Sequence, residues 1–440
     1  MPGPNCQTGV VSEFADRIDA LTLDQLRRVG SLKWSAYPGA IGAWVAEADF
    51  GLAPAVAEVV ADYAHRQLTG YAPRALRTEF QQATAEFVAG RYGWQLAPEL
   101  VHQLPDVLAG LALTMHHWLP AGSRVIVPTP CYMPFVDMPA AFGHELVQLP
   151  MLPGPDGWRM DLAGLDRALA AGPALLVLCN PHNPIGKVYT AAELTEICEL
   201  VDRHGGLVFS DEIHAPLIYP GARHQPYAAL NDIAAGHTVT AFSGSKAFNL
   251  AGLKCAQLVL TNPAHQRLFT GSGHGLPYES TPIGMAATVA AYRFGGPWLA
   301  DVLGYLRTNR DLLIDSLTAR LPQVRGHRPQ ATFLAWLDVR ELGLTDPCAH
   351  FLRAGVALTD GAGCGAAYGS TLPCPLRCCG RRSTGWWPVC PDPSGPAGPC
   401  RPGRTPVGFG PGTRPDEIED RTGRDAFDEW PRGCPVDRPG

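Results

Sequence analysis

A continuous apolar segment, Ala174-Leu175-Leu176-Val177-Leu178-Cys179, constrains the fold of this chain most strongly. An unbroken apolar run of this length is typical of a strand that is covered on both faces, as in a parallel sheet. A helix is predicted next, because Thr190 and Glu193 form the sequence signature of a capping box. Further apolar strands are predicted at residues 123–128, 207–210 and 239–243. This alternation predicts an α/β fold with a largely parallel sheet.

The second half of the chain has a different pattern. After a Gly/Pro/Ser-rich stretch at residues 271–282, apolar residues recur at helical spacing over residues 298–321, and a strand follows at residues 331–338. This pattern predicts a second, smaller α+β domain. The length of 440 residues is sufficient for two domains.

Charge and hydropathy exclude several classes of partner. The net charge of -6 is small for this length, so no nucleic acid or anionic membrane is expected as a partner. No apolar run approaches the ~18–20 residues of a membrane span. Residues 1–19 contain no apolar signal-peptide core, and a cytoplasmic location is therefore expected.

Candidate catalytic residues follow the strand at residues 239–243. Lys246 lies in the turn after this strand, at the sheet edge where ligands bind in open α/β folds. A lysine that is partly shielded from water loses its proton readily and can attack an aldehyde. Ser243 and Lys254 could contact a phosphate through a hydroxyl and a positive charge. Taken alone, a lysine in this pattern is far more often a solvated surface lysine than a catalytic one.

Three other strand ends carry matching residues. Asp211 ends the strand at residues 207–210, and an aspartate there could keep a cofactor's pyridine nitrogen protonated, while Ile213 presses on the ring. Asn183 lies in a loop with two Asn-Pro steps and could donate a hydrogen bond to a phenolic oxygen. Tyr132 offers a ring that could stack on a planar cofactor. Alone, these residues could be a turn cap, an ordinary turn and a core tyrosine.

In order and spacing, these segments resemble the fold-type I pyridoxal-phosphate (PLP) enzymes of the class I/II aminotransferase group. The resemblance is strongest to the cystathionine β-lyase, or β C–S lyase, branch, and it covers residues 28–368. It includes Lys33-Trp34, Trp44-Val45-Ala46-Glu47-Ala48-Asp49-Phe50, Gly70-Tyr71, Asp211-Glu212-Ile213-His214 and Gly295-Gly296-Pro297-Trp298-Leu299.

The resemblance implies a three-layer α/β fold like that of aspartate aminotransferase. Its implied division is an N-terminal arm and part of the small domain at residues 1–45, a large PLP-binding domain at 46–282, a small C-terminal domain at 283–368 and a tail at 369–440. It also implies a homodimer, because Tyr71 corresponds to a tyrosine that reaches the cofactor phosphate of the neighbouring subunit.

The resemblance assigns roles to individual residues. Lys246 would form the Schiff base and move the α-proton, with Asp211 and Tyr132 as the other catalytic residues. The expected cofactor contacts are Lys246, Asp211, Asn183, Tyr132, Ser243, Ile213, His214, Val107, Leu108, Lys254 and Tyr71. The Val107 and Leu108 amides would hold the phosphate at a helix N-terminus. No metal site is expected.

Three functions remain open at this point, two of them enzymatic. The implied activity is β C–S cleavage of cystathionine-like amino acids to a thiol, pyruvate and ammonia. The alternatives are a class I/II aminotransferase and a PLP-binding protein that is catalytically impaired or regulatory. The small amino-acid substrate itself is not identified by these residues.

The sequence departs from the family pattern beside the expected phosphate. Asp106 stands where the family usually has glycine, and its carboxylate would repel a phosphate unless it points away or caps the helix. Glu47 and Ala48 replace residues that are often Asp and Met in this branch.

The C-terminal segment departs further. Gly and Pro make up 26 of the last 72 residues, and neither the expected Arg-x-Asn strand nor an amphipathic helix is found after Gly369. Arg377 is near the place of the expected carboxylate-binding arginine, but its context differs, and we do not assign that role to it. Isolated cysteines upstream are expected to be buried, whereas six crowd into this tail: Cys374, Cys378, Cys379, Cys390, Cys400 and Cys434.

The composition of the tail suggests two interpretations. A zinc module is disfavoured because the cysteine spacings contain no paired C-x₂-C pattern. We favour a shifted reading frame, since GC-rich codons for residues 376–387, read two nucleotides later, can encode an amphipathic helix. Sequencing the gene tests this hypothesis, and an uninterrupted frame that recurs in close relatives would contradict it.

Overall fold

The computed structural model describes residues 10–154, 157–271, 279–365 and 371–375, all within the compact unit Met1–Pro388. The residues after 375 lie outside the described part, and with them Arg377 and the segment of the reading-frame hypothesis. The helices are α1 Val10–Asp19, α2 Leu23–Val29, α3 Leu32–Ser35, α4 Pro54–His65, α5 Arg74–Tyr92, α6 Val107–His117, α7 Pro134–Ala141, α8 Leu162–Ala170, α9 Ala191–Arg203, α10 Asp232–Gly236, α11 Pro263–Gly271, α12 Pro282–Phe294, α13 Gly296–Arg320 and α14 Pro347–Arg353.

The strands alternate with these helices over the first half of the chain. They are β1 Ile41–Gly42, β2 Val101–Leu104, β3 Arg124–Thr129, β4 Glu145–Pro150, β5 Leu152–Gly154, β6 Gly157–Arg159, β7 Ala174–Cys179, β8 Leu207–Asp211, β9 Thr238–Phe242, β10 Ala256–Leu260, β11 Arg325–Gly326, β12 Leu334–Asp338, β13 Val356–Ala357 and β14 Thr371–Pro375. Short 3₁₀ turns occur at Pro98–Leu100, Tyr227–Ala229, Ala251–Leu253, Arg340–Leu342 and Ala362–Cys364.

A seven-stranded sheet in the order β2-β10-β9-β8-β7-β3-β4 forms the centre of the fold. The strands β4, β3, β7, β8 and β9 are parallel, whereas β10 runs antiparallel to both β9 and β2. The prediction of an α/β fold with a mostly parallel sheet is confirmed. The predicted strands match β3, β7, β8 and β9 to within one residue at each end.

Both faces of this sheet are covered, as the apolar run in β7 predicted. Leu175 and Val177 pack with α6 on one face, while Leu176 and Leu178 pack with α9 on the other. All six β7 residues are buried. Helix α9 begins at the predicted capping box, in which Thr190 accepts from the Glu193 amide and the Glu193 side chain accepts from the Thr190 amide.

Strands β11, β12 and β14 form a separate sheet, in which β12 is central. Helix α13 begins two residues before the helix predicted at residues 298–321. No strand was expected after Gly369, yet β14 pairs antiparallel with β12 over five residues. The reason is that β14 is an edge strand: such a strand is defined by its partner and tolerates proline, so its composition carries little strand signal.

Among the described residues upstream of the tail, six cysteines are free. Cys131, Cys179, Cys198, Cys255 and Cys364 are buried, as expected for small apolar core residues, whereas Cys348 is only partly buried. Within the described residues, no helix combines the length and the apolarity that crossing a membrane requires.

Candidate active site

The carboxyl ends of four parallel strands converge at one edge of the central sheet. Asp211 at the end of β8 pairs with Cys179 of β7 on one side and with Ala241 of β9 on the other. The loops after β3, β7, β8 and β9 therefore meet there, which is where open α/β sheets bind ligands. These loops carry Tyr132, Asn183 and Lys246.

Lys246 is half-buried in the turn after β9. Its Nζ donates a hydrogen bond to the backbone oxygen of Ala46 over 3.2 Å. Burial lowers the pKa of Lys246 below its ordinary value, although the negative charges of Asp211 and Glu47 act in the opposite direction. A larger fraction of the amine is thus neutral, which is the form that attacks a carbonyl.

Asp211 is buried beside this lysine, with only 4 % of its surface exposed. Its Oδ1 accepts a hydrogen bond from the Ile213 amide over 3.0 Å. Burial raises the pKa of Asp211 to about 7; the Ile213 hydrogen bond and the charge of Lys246 lower it, and the adjacent Glu212 raises it. A cationic group placed next to Asp211 would favour its charged form.

Asn183 and His214 lie together at this edge. Asn183 Nδ2 is 3.5 Å from His214 Nε2, and the His214 ring lies edge-on to Phe333. Burial lowers the pKa of His214 to about 3, and the charge of Lys246 acts in the same direction. His214 is therefore a neutral imidazole, and its Nδ1 has no hydrogen-bond partner among the described residues.

Tyr132 presents a partly open ring, with 38 % of its surface exposed. Burial raises the pKa of its hydroxyl, and the nearby charges of Asp211 and Asp106 add to that effect. Its exposed ring surface is available for stacking, and its raised pKa keeps the hydroxyl protonated.

The N-terminus of α6 forms a second part of the site. Asp106 is the N-cap and accepts from the Ala109 amide over 3.0 Å, while Val107 and Leu108 occupy the first helical positions. Asp106 Oδ2 also lies 3.0 Å from Lys254 Nζ, in an ion pair whose side chains are 42 % and 59 % exposed. The departure from glycine thus takes the form of a cap, one of the arrangements that the sequence left open.

Ser243 is held differently from the way its predicted role requires. Its hydroxyl donates to the Cys255 backbone oxygen over 2.8 Å and accepts from the Ser245 amide over 3.0 Å. Because a serine has a single hydroxyl hydrogen, Ser243 could donate to a phosphate only after leaving Cys255. Its phosphate contact remains a prediction.

Tyr71 lies away from these residues, between α4 and α5, with 93 % of its surface exposed. A large aromatic side chain exposed to this extent is available to another molecule. Its predicted role in a neighbouring subunit also remains a prediction.

Sequence reasoning missed two partners of the site residues. The Ala46 oxygen contacts a lysine 200 positions away, and no local pattern could signal that contact. Glu212 is fully buried and accepts hydrogen bonds from Ser210 Oγ, the Tyr227 amide and His224 Nε2. The sequence does contain a sign that Glu212 has partners of its own. It directly follows Asp211 at the end of β8, and adjacent extended residues point to opposite sides.

The chain is similar in sequence to proteins of known family. The family described as aminotransferase class I and II matches residues 44–380. Cystathionine β-lyase of Corynebacterium glutamicum is 34% identical over 80% of this chain and 92% of that protein. Cystathionine β-lyase PatB of Bacillus subtilis is 31% identical over 72% of this chain and 83% of that protein.

The chain is also similar in fold to solved structures. A Corynebacterium diphtheriae protein proposed to be a PLP-dependent β-cystathionase has a TM-score of 0.75 and 36% identity, covering 81% of this chain and 93% of that one. The PLP-bound C-S lyase of Staphylococcus hominis has a TM-score of 0.72 and 25% identity, covering 79% and 91%.

Proposed function

Because the chain belongs to the aminotransferase class I and II family, we propose that it is a PLP-dependent β C–S lyase that cleaves cystathionine-like amino acids to a thiol, pyruvate and ammonia. The observation that carries the proposal is the half-buried Lys246 beside the buried carboxyl of Asp211, at the strand ends of a chain whose relatives are named cystathionine β-lyase.

The residues present fit this cofactor. Asp211 is a buried carboxyl whose one hydrogen-bond donor among the described residues is the Ile213 backbone amide, which suits a cationic ring nitrogen. The first amides of α6 suit a phosphate, and bound PLP would supply an electron sink for charge that develops on the substrate. We assign covalent attachment to Lys246, and ring or phosphate contacts to Asp211, Asn183, Tyr132, Ile213, His214, Val107, Leu108, Ser243 and Lys254.

Lys246 also suits the proton transfer of the reaction. A general base is most effective when its pKa lies near the working pH, and burial moves the pKa of Lys246 in that direction. The Ala46 oxygen fixes Nζ at the edge of the sheet, so the amine is positioned to accept a proton from a substrate carbon and to return it.

An aminotransferase is the second candidate, because family membership includes that activity. Both reactions begin with removal of the α-proton. They differ in whether a β-thiolate leaves or a proton is delivered to a different carbon. The third alternative is an impaired or regulatory protein, because the sequence after Gly369 lacks the Arg-x-Asn motif expected to bind the substrate carboxylate.

The assignment of Lys246 can be tested by chemical labelling, because the chain contains only four lysines: Lys33, Lys187, Lys246 and Lys254. The purified protein is incubated with PLP, reduced with borohydride, digested and analysed by mass spectrometry. Attachment to the Lys246 peptide is expected in the parent and in a Lys187→Ala control, and none in Lys246→Ala. Labelling of another lysine, or of none, would refute the assignment.

Substrate turnover then separates the candidate reactions. Addition of cystathionine to the PLP-loaded protein should bleach or shift the visible absorption band of the bound cofactor, and pyruvate should be released. Transfer that depends on a keto acid would identify the aminotransferase instead. A bound cofactor that cystathionine leaves unchanged would support the impaired or regulatory alternative.

A cytoplasmic location is part of the proposal. So is a homodimer with shared sites, which the exposure of Tyr71 supports. Variants Tyr71→Ala and Lys246→Ala should each be weakly active or inactive. If one subunit supplies Tyr71 to the site of the other, mixed dimers regain one complete site and activity returns on mixing. Mixtures no more active than their components would exclude the shared site.

A further inference from the structure

A cavity of about 490 Å³ lies outside the residues assigned to the cofactor. It is formed where the end of α5, the segment after β8 and the first half of α13 come together. Its polar lining consists of Arg91, Arg223, Arg307, His224, Tyr92 and Tyr219. Its volume falls within the range of small-molecule sites.

The lining carries an excess of positive charge. Arg91, Arg223 and Arg307 come from three different segments, and their side chains are exposed to solvent. Arg91 is fixed by a 2.8 Å hydrogen bond from Nη2 to the Pro216 oxygen. None of the described residues that line the cavity is acidic, so the guanidinium groups face no counter-charge within it.

His224 adds a buried group with an unused hydrogen-bonding position. It is 3 % exposed, and its Nε2 lies 2.8 Å from Glu212 Oε2. Because a carboxylate only accepts, Nε2 carries a hydrogen. The other nitrogen, Nδ1, is buried without a partner among the described residues. A buried polar atom of this kind is costly unless a ligand or water contacts it.

Tyr92 packs against this histidine, with ring centroids 4.9 Å apart in an edge-on arrangement. Burial raises the pKa of the Tyr92 hydroxyl well above its ordinary value, so it stays protonated and can donate. The cavity thus combines three guanidinium groups and a buried hydroxyl, which donate hydrogen bonds to oxyanions. The imidazole adds Nδ1, which in the neutral ring accepts a hydrogen bond from a protonated ligand oxygen.

We propose that this cavity binds a small oxyanion with two or more negative charges, held by Arg91, Arg223 and Arg307 with His224 in contact. A multiply charged anion is favoured because a single charge would leave most of the guanidinium charge uncompensated. Inorganic phosphate and a short dicarboxylate share this chemistry, and the experiment distinguishes them.

The test is isothermal titration of the cofactor-loaded protein with phosphate and, separately, with succinate at low ionic strength. Loading with PLP keeps phosphate out of the cofactor's own phosphate site. The parent is compared with Arg223→Gln/Arg307→Gln and with a control, Arg267→Gln, which removes an exposed arginine of α11. The expected result is one anion per chain, weakened by about tenfold or more in the double variant and unchanged in the control.

Each outcome decides the proposal. Binding of phosphate alone, of succinate alone or of both identifies the ligand class, provided that the double variant weakens it. No binding to the parent at millimolar concentration, or equal binding to the double variant, overturns the site. Repeating the titration in Lys246→Ala with and without Arg223→Gln/Arg307→Gln separates the two hypotheses, because the arginine substitutions weaken only the anion that binds this cavity and not one that enters the vacant cofactor site.

Discussion

Replacing Asp106 with asparagine should make the protein less stable and its cofactor more tightly bound. The carboxylate caps α6 through the Ala109 amide and pairs with Lys254 Nζ, both over 3.0 Å. Asparagine is as good an N-cap as aspartate, so the substitution keeps the cap while removing one negative charge and releasing Lys254.

The effects on stability and on cofactor affinity have separate magnitudes. Loss of an exposed ion pair costs ~0–1 kcal/mol, and loss of an anion at a helix N-terminus costs ~0.3–1 kcal/mol. The free energy of unfolding of the cofactor-free protein should therefore fall by about 1 kcal/mol. Unit charges ~5 Å apart in water interact by ~0.8 kcal/mol. For a phosphate with nearly two charges, the lost repulsion amounts to ~1.5 kcal/mol, or about tenfold in affinity.

Urea unfolding of the cofactor-free protein measures the first effect, and a fluorescence titration with PLP measures the second. Pyridoxal, which lacks the phosphate, is the matched control ligand, and its affinity should not change. The tighter binding of PLP should also diminish as salt is added. Unchanged or weaker PLP binding in Asp106→Asn would refute the expectation that this carboxylate, although it caps α6, still repels the phosphate through its charge.

Three further outcomes are expected. Burial raises the pKa of Asp211 to about 7, above the ~3.9 of an aspartate in an unfolded chain. As the pH rises, Asp211 therefore loses its proton in the unfolded chain before it does so in the folded one. The free energy of unfolding of the cofactor-free protein should fall by up to ~4 kcal/mol between about pH 4 and about pH 7. In Asp211→Asn this pH-dependent loss should be absent when urea unfolding is measured at about pH 5 and about pH 8. A free energy of unfolding that falls between these pH values as much as in the parent would contradict the burial argument. Lys33→Met removes the 2.8 Å cationic partner of the buried Asp49 carboxylate, which keeps its hydrogen bond from Trp34 Nε1, and should cost ~3–5 kcal/mol. Arg66→Met, in an exposed pair, should cost ~1 kcal/mol or less, and equal losses would show that burial does not matter there. Leu111→Ala, at a fully buried position of α6, should cost ~2–5 kcal/mol in the same assay, and a loss below ~1 kcal/mol would contradict its assignment to the core.

The central sheet could be predicted from the sequence because its strands are buried on both faces. A short, continuous apolar run such as β7, bounded by turn residues, is typical of a strand in such a sheet. The start of α9 follows from two side chains within one helical turn, Thr190 and Glu193. The second sheet was less predictable. Strand β14 exists through its pairing with β12, which lies more than thirty residues earlier in the chain, and local composition does not record such a pairing.

For the candidate site, the sequence predicted which residues meet at one edge of the sheet, but not the partners of each residue. Their roles toward a cofactor stay predictions. Lys246, Asp211 and Asn183 could be selected because each follows a strand of the same sheet, and parallel strands end at one edge. The hydrogen bond from Ser243 to Cys255 and the ion pair from Asp106 to Lys254 depend on which atoms approach in three dimensions. These contacts occupy the hydroxyl hydrogen of Ser243 and the ammonium group of Lys254, which are the groups predicted to bind the phosphate.

The end of β8 shows how one strand serves two different sites. Asp211 and Glu212 are consecutive, so their side chains leave the strand on opposite sides. Hydrogen bonds from Ser210, Tyr227 and His224 satisfy Glu212, whereas Asp211 receives one backbone amide and has a raised pKa. Asp211 is thus the carboxyl that gains most from a cationic ligand, and Glu212 connects it to the proposed anion cavity through His224. Since the charge of Glu212 raises the pKa of Asp211, a more positive partner at Glu212 would favour the ionised form of Asp211.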